Sequence, residues 1–154
     1  MSSELPITVA NIRYAAMNML AMREHSALEL RTKLKQKFEL SELIEEAVAR
    51  LTEQGLQSDM RFAEAFTAMR QRQGKGSSLI KMELRERGVA EGLVSDLINE
   101  FDHSWVELAS RARTKRFGCE LPADLKDRAK QMRFLQGRGF ALHHIQALFS
   151  STSL

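Results

Sequence analysis

Few residues of this chain are of types that carry chemistry, and each can be set against the spacing its chemistry needs. The segment QGKGSS, residues 73–78, has the glycines and hydroxyls of a phosphate-cradling loop. That loop also needs a glycine five residues before Gly74 and a preceding strand, but position 69 is Met69 and the run before it has a helical pattern. The segment reads instead as a flexible link, in which Gly74 and Gly76 allow a turn and Ser77 or Ser78 caps the next helix. His143 and His144 are adjacent, so on a helix they diverge by about 100° and suit one metal ion poorly. No HxxxH or HExxH pair exists, and both histidines are expected at the surface. Cys119 is the single cysteine; it can form no internal disulfide and has no activating motif beside it. Glu45 and Glu46 fall in an amphipathic pattern and read as solvated. No catalytic, cofactor-binding or metal-binding residue is assigned, and no enzyme is expected. One step is left over: Arg138-Gly139-Phe140 in FLQGRGFALHHIQALF (134–149) is either a nucleic-acid-gripping loop or a helix junction.

The elements around these residues are helical. With 154 residues, 44% of them hydrophobic, the chain can bury a core, and two prolines and eight glycines leave long runs rich in good helix formers. An all-α protein is predicted. The opening segment has neither a basic leader before an apolar block nor a membrane-length run, so the chain reads as cytosolic. Its net charge of +3 is modest for a protein that grips DNA unaided.

An internal repeat organises the chain. LRERGVAEGLVSDLINEF (84–101) matches LKQKFELSELIEEAVARL (34–51) at a shift of 50, with Leu34, Leu43, Ile44, Val48 and Leu51 over Leu84, Leu93, Val94, Ile98 and Phe101. A further shift of 51 places Leu135, Arg138, Gly139, Phe140, Ile145, Leu148 and Phe149 over Leu84, Arg87, Gly88, Val89, Val94, Leu97 and Ile98. Three units of three helices follow, divided at 1–57, 58–103 and 104–154. In the first unit Ile12, Ala16, Met19 and Leu20, then Ala27, Leu30 and Leu34, then Leu43, Ile44, Ala47, Val48 and Leu51 form one apolar stripe per helix. Ser26 with Glu29 and Ser104 with Glu107 read as capping boxes, Gly55 and Gly88 as left-handed helix ends, and Pro122 as the first turn of the eighth helix. Helices of about 11–15 residues are short for independent stability, so each must bury its stripe against the others. Tandem units predict an elongated, curved array that folds as a monomer.

Charge follows the repeat. Second helices are basic (Arg31, Lys33, Lys35 and Lys37; Lys81, Arg85 and Arg87; Lys126, Arg128, Lys130 and Arg133), and Arg111, Arg113, Lys115 and Arg116 precede the last of these. Third helices are acidic (Glu42, Glu45, Glu46 and Glu53; Glu91, Asp96 and Glu100), so a polarised surface suited to a large charged partner is predicted.

Four segments in order, REHSALELRTKL (23–34), GLQSDMRFA (55–63), RQGKGSSLIKMELRERGV (72–89) and KQMRFLQGRGF (130–140), resemble successive signatures of the RecX family, regulators of the bacterial recombinase RecA. The resemblance covers about residues 12–149. It implies three tandem three-helix repeats and a protein that binds RecA on single-stranded DNA, lies along the filament groove and suppresses ATP hydrolysis, strand exchange and coprotease activity. Two positions depart from the pattern: Phe38 stands where the basic-Gly-apolar step would have glycine, and Ser58 replaces an acidic residue before Asp59.

Under this resemblance the basic helices are expected to meet acidic groove surfaces, with weak direct contact to DNA. The expected contacts are Arg23, Arg31, Lys35, Arg61, Arg72, Lys75, Arg85, Arg113, Arg133 and Arg138, with arginine favoured for its bidentate fork. Arg61 and Arg133 could equally cover Phe62 and Phe134 with their stems. Ala27, Leu34, Leu84, Val94, Leu135, Ile145 and Leu148 are assigned to packing. The competing class is an independent helical DNA-binding module with a basic face.

Overall fold

The computed structural model describes residues 7–152, which form helices and turns with no strand among them. The order is α1 (Val9–Met22), α2 (Ala27–Phe38), α3 (Ser41–Glu53), α4 (Asp59–Arg72), α5 (Ser77–Glu86), α6 (Glu91–Leu97), α7 (Ser104–Phe117), α8 (Leu125–Gly137) and α9 (Leu142–Thr152). Among the described residues no helix is long and apolar enough to cross a membrane.

The chain gathers into two compact units: residues up to Ala65 with the turn Glu86–Ala90, and Phe66–Arg85 with Glu91 onward. In the first unit, α1 packs on α3 and α2. Ile12 and Ala16, Leu30 and Leu34, and Ile44, Ala47, Val48 and Leu51 close a single core, with Met19, Leu20, Ala27 and Leu43 at its margin, as the helical spacing predicts. The predicted capping box opens α2: Ser26 Oγ accepts from the Glu29 amide at 3.0 Å, and the Glu29 carboxylate accepts from the Ser26 amide at 3.1 Å. A second lock joins the same end of α2 to the start of α4. Asp59 Oδ1 accepts from the Ala27 amide at 2.9 Å and from Gln57 Nε2 at 3.0 Å, while buried Gln57 also donates to the His25 carbonyl at 3.2 Å. Two of the sequence signatures, at 23–34 and 55–63, therefore meet as one hydrogen-bonded joint. Ser58 serves this joint as a cap of its own, its Oγ accepting from the Arg61 amide at 3.2 Å.

In the second unit α7 packs on α9 and α8. Ala109, Leu135, Phe140, Ile145, Leu148 and Phe149 form the core there, and Leu84 and Val94 are fully buried as expected.

The Arg-Gly-apolar steps turn out to be docking joints, each glycine meeting the second helix of the preceding repeat. Gly88 (φ +81°) and Gly139 (φ +92°) both take the left-handed conformation. A Cβ at Gly88 would come within 2.8 Å of Leu28 Cβ, and one at Gly139 would overlap Leu79 Cβ and reach 3.1 Å from its amide nitrogen. Leu28 and Leu79 are themselves 51 residues apart, so the same contact recurs at the repeat spacing. In the second unit the turn also caps a helix: the Gly139 carbonyl accepts from the amides of Ser78 (3.0 Å) and Leu79 (3.3 Å), and the Arg138 carbonyl from Gly76 (3.0 Å). Gly76 is buried, and a Cβ there would overlap the Phe140 backbone, so QGKGSS is a tightly packed joint where a flexible link was expected.

Other expectations are corrected. Phe101, registered on the buried Leu51, is 95% exposed, because α6 stops after seven residues, at Leu97, and Phe101 falls in the turn beyond it. Helix α7 has no Ser104 capping box; the Asp102 carboxylate accepts from the Ser104 amide at 2.9 Å, which holds Asp102 below its usual range. Asp124 caps α8 through the Asp127 amide at 2.8 Å, and Pro122 lies ahead of the helix. Where Phe38 replaces glycine, Glu39 takes the left-handed turn at φ +54°. His144 is buried, not at the surface: its Nε2 lies 2.6 Å from the Glu100 carbonyl and its ring stacks on Trp105 at 6.3 Å.

Candidate functional site

The ten candidate contacts fall into three groups. Arg23, Arg31, Arg61 and Arg85 are engaged by acids near them. Arg23 grips Glu29 with both nitrogens at 3.1 and 3.2 Å; Arg31 pairs with Glu45 at 3.0 Å, Arg61 with Glu24 at 3.1 Å, and Arg85 with Glu91 at 2.6 and 2.8 Å. These pairs set the local titration. Burial pulls the Glu29 carboxyl upward, but the Arg23 pair and the Ser26 amide outweigh it and hold the group below its usual range. The Arg85 pair likewise holds Glu91 down. Because α2 pairs with α3 and α5 with α6, the predicted segregation of basic second and acidic third helices is partly cancelled within the first two repeats.

Arg113 forms the second group alone. It is only 5% exposed, and its Nη1 donates to the Glu120 carbonyl at 3.2 Å and to Gln131 Oε1 at 3.3 Å. Its guanidinium ties α7 to α8 and to the loop before it, so the expected surface contact is corrected to a structural role. The third group keeps its charge available: Lys35, Arg72 and Arg133 are exposed, and Lys75 and Arg138 half-buried.

Two of these, Arg72 and Arg138, line a cleft of about 470 Å³ in the second unit. The end of α4 contributes Gln71 and Arg72, α7 contributes Leu108, Arg111, Ala112, Lys115 and Arg116, and α8 contributes Phe134, with Gln73 and Gly74 of the turn after α4 and Arg138 completing the lining. A neighbouring hollow of about 530 Å³ shares Gln71, Arg72, Leu108 and Arg111 with it. Five cations line the cleft and no carboxylate does. Among the described residues none of the five is in an ion pair. Arg116 and Arg138 are held instead by Phe134, their guanidinium carbons 5.9 and 5.3 Å from its ring centre, and Phe117 meets the same ring edge-on at 5.3 Å. An aromatic face orients a guanidinium without consuming its N–H donors, which stay available to an anion.

Arg111, Lys115 and Arg116 were not among the expected contacts. Their signal was in RARTKR (111–116), a basic run without an acid, in which Arg111 and Lys115 are four residues apart and share a helix face. Cys119 is exposed and free, and among the described residues no three His, Cys, Asp or Glu side chains cluster as a metal would require.

The fold and this cleft define a tandem three-helix-repeat protein with an uncompensated cationic surface. Residues 13–51, 58–98 and 104–149 match, in order, the first, second and third three-helix domains of RecX, and the chain belongs to the RecX family. It is 40% identical over 147 residues to the regulatory protein RecX of Pseudomonas tolaasii, covering 96% of this chain and 95% of that one. Over 143 residues it is 41% identical to the regulatory protein RecX of Pseudomonas syringae pv. tomato, covering 93% and 92%. The crystal structure of RecX from Lactobacillus salivarius shares the fold with a TM-score of 0.78 at 20% identity, over 93% of this chain and 95% of that one.

Proposed function

We propose that this regulatory protein acts on the RecA recombinase: it binds RecA, chiefly as a filament on single-stranded DNA, and inhibits ATP hydrolysis, strand exchange and coprotease activity. It would thereby modulate recombination and the SOS response to DNA damage, in the cytoplasm and with no catalytic group of its own. Membership of the RecX family across all three domains carries the reading. The mechanism needs only a surface that bridges neighbouring protomers and favours one state of their interface. Lys35, Lys75 and Arg133 remain proposed contacts, together with Arg72 and Arg138 of the cleft. Arg23, Arg31, Arg61 and Arg85 could join them only by exchanging their present partners for acids of the filament.

DNA-dependent ATP hydrolysis by the cognate recombinase, measured with and without this protein, tests the reading. Inhibition at stoichiometric or lower amounts is expected. No effect at micromolar concentration, combined with tight binding to DNA alone, would replace it with the independent DNA-binding module, which the cationic cleft also favours.

A further inference from the structure

The geometry points to a site for single-stranded nucleic acid in the cleft between the end of α4, α7 and the end of α8, with phosphates on its cationic rim and a base on its apolar lining. The inference rests on the regulator reading for one thing only, that the strand is DNA.

Three observations carry it. The lining has five cations and no acid, so it is built for more negative charge than one small anion brings. The two hollows share Arg72 and Arg111, which makes them successive stations along one path rather than separate pockets. Arg111 and Lys115 are one helical turn apart, about 6 Å of rise, and this is the order of the spacing between consecutive phosphates in an extended strand. Leu108, Ala112 and Phe134 complete the lining with apolar surface. That apolar strip is of no use to a duplex, whose bases are stacked inside, but it suits an unstacked base, as in sites that alternate phosphate contacts with base contacts. A purely acidic peptide such as polyglutamate would satisfy the cations and leave the strip uncovered. Gln71 and Gln73 add amide groups that can both donate and accept.

Fluorescence anisotropy of a labelled 15-residue oligothymidylate, titrated with the full chain at several salt concentrations, tests this. Three to five phosphate contacts predict that log K falls with log salt at a slope of about −2 to −3.5, at about −0.7 per phosphate of a single strand. Charge reversal in the exposed pair, Arg111→Glu with Lys115→Glu, should weaken binding at least tenfold and flatten the slope by about 1.4. Arg72→Glu, on another helix, should weaken it at least threefold, so the test survives a folding defect in the pair. Lys126→Glu with Lys130→Glu, exposed on α8 outside the cleft, should stay within twofold of the parent. An abasic strand of equal length should bind several-fold more weakly, because it leaves the apolar lining of Leu108, Ala112 and Phe134 uncovered. The inference is overturned if the oligonucleotide fails to bind at low salt, if the α8 control loses as much as the cleft variants, if the abasic strand binds as well, or if polyglutamate of matched charge competes equally. Inhibition of the recombinase is read separately. Inhibition without oligonucleotide binding removes this site and leaves the regulator; binding without inhibition does the reverse.

Discussion

Replacing Gly139 with alanine tests the joint on which the repeats are built. Gly139 has φ +92°, a conformation that costs a residue with a Cβ about 1–2 kcal/mol. The new methyl would also overlap Leu79 Cβ and lie 3.1 Å from the Leu79 amide nitrogen, at the first turn of α5. That amide donates to the Gly139 carbonyl at 3.3 Å, so relief means moving a capped helix end. Overpacking of this kind costs about 1–3 kcal/mol, and the smaller unfolded-state entropy of alanine returns about 0.4–1 kcal/mol. The net expectation is a loss of about 2–4 kcal/mol, at about 2–4 °C of melting temperature per kcal/mol for a chain of this size. Gly55 is the control: it has φ +74° but nothing within 4 Å of an added Cβ, so Gly55→Ala should lose only the conformational part, about 1 kcal/mol. Gly88→Ala should fall between, since only the flexible Leu28 side chain stands in its way. Urea denaturation of the three variants gives the order directly. If Gly139→Ala and Gly55→Ala agree within about 0.5 kcal/mol, the joint is not a packing constraint and the reasoning fails.

Arg113→Ala should lose about 1–3 kcal/mol, because Gln131 Oε1 and the Glu120 carbonyl are left without their donor, whereas Arg133→Ala should stay within about 0.5 kcal/mol; equal denaturation midpoints would contradict the buried role of Arg113. Ser26→Ala should lose about 1 kcal/mol through the α2 capping box while Ser104→Ala changes little, which thermal melts of the two can check. Burial, ahead of the nearby Arg23 and Lys33 charges, depresses the His25 imidazole below 6.5. The unfolded chain then binds the extra proton first, so stability present above pH 6.5 is lost as pH falls through that value toward the folded one. Urea midpoints measured from pH 8 to pH 5 should show this slope, and His25→Gln should flatten it; an unchanged slope in the variant would assign it to other groups.

The helices and most of the core were legible in the sequence because both depend on local spacing. Apolar residues at helical intervals must face one way, and Leu30, Leu34, Ile44, Val48, Leu51, Leu84, Val94, Leu135 and Ile145 are all buried. Ser26 and Glu29 formed their box for the same reason, since both partners lie within one turn. The repeat itself was legible as self-similarity, and the family resemblance, carried by the four segments at 23–34, 55–63, 72–89 and 130–140, agreed with it independently. Where the pattern depended on exact helix length it misled: Phe101 kept the register of a core residue, but α6 ended four residues too early to carry it inward.

The cleft could not be read the same way. Arg72, Arg111 and Arg138 are spread over 67 positions of sequence, and nothing local says that three helix segments bring them together. Nor does the residue type tell which cations are already matched. Arg31 and Arg85 resemble Arg72 in sequence, yet they meet Glu45 and Glu91, while Arg113, two residues from Arg111, turns inward to Gln131. Helical periodicity assigns a side chain to a stripe, but pairing and burial depend on what the neighbouring helix presents. By itself, then, the sequence determined a three-repeat helical chain, because helix and repeat are written in spacing, and four segments in order gave it its resemblance to the RecX family. Tertiary structure alone decided which positive charges remain available to a partner, because charge compensation is a contact between elements and has no period.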